Sequence, residues 1–244
     1  MKPLSIILMI VVAQAAGCSS PPSVSVSSSL GKHGLKGKTL AVGGFTAQSI
    51  MDYPGQVAEE TIVSDAGTAL QHRFKHSRVL TAEAAWAAAG PPPIKINSGV
   101  PITLGHKLTR DFMRRTHAQG VDYLLWIDLM DNTVRNASSR SQSTRRTSSS
   151  TLSRGGRRFS SPGSYTTTYY SYEAAGRSLG ASYSLLDTAS GKSVWRAECL
   201  FSRAKVNSTA SMSGYPMPPS MPLPPEESVL MRRMTTAVIA ELPK

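Results

Sequence analysis

The sequence predicts an α/β domain, a mixed sheet of about five strands packed with about three helices. Three observations carry this reading. Strand-length apolar runs alternate with helix-period segments between residues 38 and 131. The run GVDYLLWIDLM, residues 120–130, is apolar at Leu124, Leu125, Trp126 and Ile127 in succession, as a central strand buried on both faces requires. Residues 181–206 then read as two strands joined by a turn, and residues 226–242 as a final helix.

The elements follow in order. KTLAVGGF, residues 38–45, is a first strand (Leu40, Val42, Phe45) ending in a glycine-permitted bend. In residues 56–76, Val57, Ile62, Ala66, Ala69, Leu70 and Phe74 recur near helical spacing. Glu59 and Glu60 open that segment and His72, Arg73 and Lys75 close it, which suits the helix dipole. SRVLTA is a short strand. EAAWAAAG is a turn or two of helix stopped by Gly90 and Pro91–Pro93. Residues 102–120 place Leu104, Leu108 and Phe112 at i, i+4 and i+8, with Gly120 as the stop. The hairpin over 181–206 turns around Thr188–Gly191, and the last helix turns Val229, Leu230, Met234, Val238 and Leu242 inward.

The N-terminus is a secretory pattern: Lys2, an apolar run from Leu4 to Val12, then small residues. The run is shorter than the roughly 20 residues of a membrane span. Ala15–Ala16–Gly17–Cys18 resembles the lipobox of bacterial lipoproteins. That resemblance implies a signal peptide over 1–17 and lipidation at Cys18; the Ser-, Pro- and Gly-rich stretch that follows reads as a flexible tether over 18–37, ahead of a folded domain over 38–242. Ser19, rather than Asp, implies the outer membrane of a Gram-negative bacterium, with the domain facing the periplasm. The alternative is a plain signal peptide with a coincidental cysteine. Two or three acyl chains, each contributing about 0.8 kcal/mol per buried CH₂, would tether the chain to a membrane without embedding it.

Hydrophobic residues make up 40% of the chain, enough for a real core. Cys199 is the sole cysteine besides Cys18, so a lipidated chain has no intramolecular disulfide and must be held by packing. The formal net charge is +12. In a cytosolic protein this would point to nucleic acid; with an export signal it points instead to lipid head groups, lipopolysaccharide, peptidoglycan carboxylates or acidic protein faces.

Two segments stand apart from the α/β pattern. The first, an insertion over 132–177, contains TVRNASSRSQSTRRTSSSTLSRGGRRFSSPGSYTTTYYSY. It carries Arg135, Arg140, Arg145, Arg146, Arg154, Arg157 and Arg158 among Ser and Thr and ends in Tyr165, Tyr169, Tyr170 and Tyr172. Too few apolar residues are present for a core of its own, so the expectation is a long disordered loop or an extended hairpin. Arginine grips phosphate and carboxylate bidentately, which makes these seven residues candidate contacts to an anionic surface; the alternative is a solvated low-complexity loop. The second segment is the proline-rich strap GYPMPPSMPLPP, residues 214–225, which favours an extended polyproline conformation.

Signs of catalysis are weak. His72 and His76 stand four apart without the intervening Glu of a zinc helix. Met212, Met217 and Met221 are loosely spaced for copper(I). Asp122, Asp128 and Asp131 cluster around one strand, with alternation sending the first two to one face and Asp131 to the other. No nucleophile elbow or Gly-rich phosphate loop is present. The expectation is therefore no enzyme, no metal and no cofactor.

KTLAVGGF, GVDYLLWIDL and YSLLDTASGKSVW, with an Asp-x-x-x-Gly turn before a Trp-bearing strand, resemble a broad group of periplasmic lipoproteins. The group includes the activator lipoproteins of penicillin-binding proteins (LpoB-type) and the amino-terminal domain of TolB-like proteins. The resemblance covers residues 38–131 and 178–206 and implies a small α/β binding domain. The functional expectation is a binding or assembly module for another envelope component. The alternatives are an envelope hydrolase, or a subunit of a secretion or pore assembly.

Overall fold

The computed structural model describes residues 23–30, 34–47, 56–75, 77–90, 106–146, 151–154, 157–160 and 164–243. The order is β1 (Ser23–Ser28), β2 (Thr39–Ala47), α1 (Gln56–Arg73), β3 (Arg78–Leu80), α2 (Ala82–Ala89), α3 (His106–Ala118), β4 (Tyr123–Arg146), β5 (Thr151–Arg154), β6 (Arg157–Ser160), β7 (Tyr165–Asp187), β8 (Ser193–Ser211) and α4 (Glu227–Ala240). The main sheet runs β1-β8-β7-β4-β2-β3, and β5 and β6 form a separate pair. β2 is parallel to β3 and β4, while β1 is antiparallel to β8, so the sheet is mixed and the class is α/β as the sequence predicts. Among the described residues no helix is long and apolar enough to cross a membrane.

The chain divides into two compact units. The core unit holds Ser19–Val134, Arg177–Arg203 and Pro225–Lys244. The arginine-rich unit holds, among described residues, stretches of Arg135–Gly176 and Ala204–Pro224. β4, β7 and β8 each contribute residues to both.

In the core unit the first half of β4 explains its own sequence. Leu125, Ile127 and Leu129 face a cluster that includes Leu40, Val42 and Phe45 of β2, Ile62 and Leu70 of α1, and Leu230, Met234 and Val238 of α4. Leu124 and Trp126 face the other way, against Ala85 and Ala89 of α2 and Phe112 of α3. Helices on both faces are why the strand is apolar without alternation. β2 meets the same demand with a bulge. Its register against β4 shifts between Val42 and Gly44, and the extra residue lets Leu40 and Val42 before it, and Phe45 and Ala47 after it, reach one cluster. A Cβ on Gly43 would lie 2.5 Å from the Leu124 side chain, so glycine is demanded by the close approach.

Polar contacts fix the edges of this unit. Arg177 donates to Asn132 Oδ1 (2.7 Å), Glu227 Oε2 (3.1 Å) and the Pro225 carbonyl (3.0 Å). It thereby ties β7 to β4 and to the start of α4. Arg232 donates to Asp65, joining α4 to α1 at 2.9 Å. The hairpin turn is set by Asp187, whose carboxylate accepts from the Ala189 N–H (3.0 Å) and the Ser190 hydroxyl (2.9 Å), with Gly191 at φ 73°. Burial alone would raise the Asp187 pKa, but these hydrogen bonds outweigh it and hold the carboxyl below its usual range.

The structure corrects or sharpens the sequence reading in four places. Residues 18–37 are not all tether: Ser23–Ser28 pair with β8 from Ser23↔Leu200 to Ser28↔Trp195, and Leu35 is buried in the core cluster. Of the two expectations for the insertion, the described residues form the extended hairpin and not the disordered loop: the far half of β4, the β5–β6 pair and the first half of β7. The main sheet has six strands and four helices are described, close to the about five and about three expected. In α4, Val229 is 42% exposed, and Met231, not Val229, faces inward.

Candidate functional site

Beyond Val134, β4 loses its large apolar residues and keeps its alternation. Ser138, Arg140, Gln142, Thr144 and Arg146 share one face by strand period. β7 answers across the pair. Ser138 Oγ donates to Glu173 Oε2 (2.6 Å), and the hydroxyls of Thr144 and Thr167 are 3.0 Å apart. The two arginines on this face rest on aromatic rings: Arg140 lies 5.8 Å from the centre of the Tyr215 ring, and Arg146 5.6 Å from that of Tyr165. Tyr215 in turn meets Tyr169 edge-on at 5.0 Å. Each such cation–π contact contributes about 0.5–1 kcal/mol at an exposed site. A guanidinium held near a ring face by its charge still has its planar fork of N–H donors to offer an anion.

Tyr215 comes from the proline-rich strap, which the structure draws alongside these strands. Ser171 Oγ donates to the Pro216 carbonyl (3.0 Å), Thr209 Oγ1 to the Met217 carbonyl (2.9 Å) and Asn207 Nδ2 to the Ser220 carbonyl (2.7 Å). These bonds fix an extended segment that has no helix or strand of its own. A cleft of about 420 Å³ opens between Ser138, Ser139, Arg140, Ser171, Glu173 and Pro218. Glu173 is buried there. Across Arg135–Gly176 and Ala204–Pro224 the sequence holds eight cationic residues, seven Arg and Lys205, and one acid, Glu173.

The seven arginines named from sequence are not one cluster. Arg140 and Arg146 share the tyrosine face. Alternation sends Arg135 and Arg145 to the opposite face of β4. Arg154, Arg157 and Arg158 lie on the β5–β6 pair, with Arg154 opposite Arg157 and Arg158 opposite Ser153 in register. Cys18 lies outside the described residues, as does His76. Sequence reasoning missed Tyr215 and Glu173. Tyr215 stood in the quoted strap, but nothing local ties it to an arginine 75 positions earlier.

Two of the three aspartates, Asp122 and Asp128, tie β2 to β4. Asp122, just ahead of β4, accepts from Lys38 Nζ (3.2 Å) and the Thr39 N–H (2.8 Å). Asp128 accepts from Trp126 Nε1 (3.2 Å) and from the Thr46 hydroxyl. These carboxylates therefore serve opposite ends of the β2–β4 pair, about 20 Å apart along the strand, and cannot work as a pair. Burial pushes the Asp128 carboxyl up, only partly offset by Thr46, Trp126 and Arg196. Cys199 is buried in the core, which pushes its thiol up to about 11, an unreactive state.

No protein-family model matches the chain, and no curated protein matches it. Among solved structures the chain is similar to the PelC dodecamer from Paraburkholderia phytofirmans, at 12% identity and a TM-score of 0.38 over 90% of this chain and 95% of that one. It is also similar to the lipoprotein GNA1162 from Neisseria meningitidis, at 12% identity and a TM-score of 0.32 over 74% of this chain and 88% of that one.

Proposed function

We propose that the chain is an outer-membrane lipoprotein, anchored by lipid at Cys18 and facing the periplasm, that serves as a non-enzymatic binding module. Its recognition surface is the arginine–tyrosine face, and its partner is an anionic component of the envelope. One observation carries this reading: a compact unit with eight cationic residues against a single acid presents two arginines pre-positioned on tyrosine rings. Stacking limits the rotamers that would otherwise be lost on binding, so the guanidinium donors meet an anion at lower entropic cost. The α/β core supplies the frame from which β4 and β7 extend, and no step calls for a metal or cofactor.

The test is retention of the chain on a polyanion matrix across a salt gradient, for wild type and for the double variant Arg140→Gln/Arg146→Gln. The reading expects wild-type binding that weakens steeply as salt screens the contacts, and earlier elution of the variant. Salt-insensitive retention, or equal retention of both, overturns it. Incorporation of labelled palmitate into wild type but not into Cys18→Ser tests the anchor separately.

A further inference from the structure

Nine large apolar side chains are exposed among the described residues, and four of them crowd into the strap, Tyr215, Met217 (86%), Met221 and Leu223 (80%), with Met212 (74%) just ahead of it. Exposed apolar residues scattered singly need no explanation, but a run of them on a rigid segment does. This segment is rigid by construction. Prolines at 216, 218, 219, 222 and 224 fix their own φ and offer no N–H. The carbonyls of Pro216, Met217 and Ser220 are already satisfied by Ser171, Thr209 and Asn207. Those three bonds and the missing proline N–H groups reduce the backbone polarity of the strap, and the side chains it exposes include thioether, leucine and tyrosine. Arg140 sits directly on Tyr215, so cationic and apolar groups adjoin within one unit.

We infer that the strap and the arginine–tyrosine face together form a contact surface for an anionic phospholipid leaflet. Arg140 and Arg146 take lipid phosphates while Met217 and Leu223 enter the acyl boundary. This rests on the proposal that the face binds an anionic envelope component, and it names that component. The pairing of chemistries selects a leaflet. A soluble polyanion satisfies only the arginines, whereas a bilayer offers phosphate and hydrocarbon side by side. The strap is too short and too proline-rich to span, so the contact is peripheral. Pre-ordering lowers the conformational cost of insertion.

The experiment is co-sedimentation of the full chain carrying Cys18→Ser, so that no acyl chain contributes. Vesicles are either phosphatidylcholine alone or phosphatidylcholine with phosphatidylglycerol, and soluble polyphosphate serves as a parallel probe. Two double variants accompany it, Met217→Ser/Leu223→Ser and Arg140→Gln/Arg146→Gln, each checked by thermal unfolding. All four positions carry exposed side chains or lie on exposed strand. The expected result is binding to the anionic vesicles, weakened about tenfold or more by Met217→Ser/Leu223→Ser, with polyphosphate binding by that variant unchanged. Equal vesicle binding by wild type and the strap variant overturns the leaflet contact, and leaves the anion-binding reading standing if the arginine variant loses polyphosphate. Absence of both vesicle and polyphosphate binding by wild type overturns both.

Discussion

From Tyr123 to Leu129, β4 buries Leu124, Leu125, Trp126, Ile127 and Leu129 between helices on both faces. From Arg135 to Arg146 the same strand carries one small apolar residue, Ala137, among Ser, Thr, Asn, Gln and Arg. The first half is held by exclusion of water. The second is held by cross-strand hydroxyls, by arginine on tyrosine and by a strap bonded through its carbonyls. One backbone conformation thus serves two energetic regimes. A strand whose ladder is set in a packed core can continue into solvent with side chains chosen for contact rather than burial. The packed first half leaves the second free to carry the proposed contact surface.

Three measurements break or sharpen that contrast. The largest effect belongs to Leu125→Ala. Leu125 is fully buried, so truncation should cost about 2–5 kcal/mol in urea unfolding; a cost under about 1 kcal/mol would mean that the first half is not the stabilising one. Next is the pH profile of Asp128→Asn. Because burial raises the Asp128 pKa in the folded chain, its contribution is fully present below the unfolded value of 3.8 and is lost as pH rises through the folded value. Asparagine does not titrate, so stability relative to wild type should move in the variant's favour as pH is raised from about 4 to 7. A pH-independent difference would show that Asp128 is not desolvated. The smallest effect belongs to Thr144→Ala in the second half, expected within about 0.5 kcal/mol despite its cross-strand partner Thr167. A large loss there would show that the arginine-rich unit also carries stability.

Legibility divides along the same line. The first half of β4, the two long helices α1 and α4, and the Asp187–Gly191 turn were readable because burial and turn chemistry write themselves into neighbouring residues. β1 was not: SVSVSS has the composition of a tether, and only its pairing to Trp195–Leu200 makes it a strand. Tertiary context, not propensity, decides such edges. The far half of β4 was readable only as one of two alternatives, an extended hairpin or a loop, since no apolar period marks a strand that buries little. The arginines were visible as a cationic run. Their division into two faces and a separate hairpin depends on register, and the seating of Arg140 on Tyr215 depends on a strap that arrives after four further strands.

The pairing of β1 with β8 bears on how the chain transmits force. With the anchor proposed at Cys18, only five peptide units separate the lipid from Ser23, a reach of at most about 18 Å. Ser23 is the first of six residues in register with β8. A pull from the membrane on the start of β1, directed along the strand, loads those rungs together as shear instead of peeling them one at a time. β1 then acts as a strain-relief clamp: tension on the anchor is spread over the ladder before it reaches the packed core.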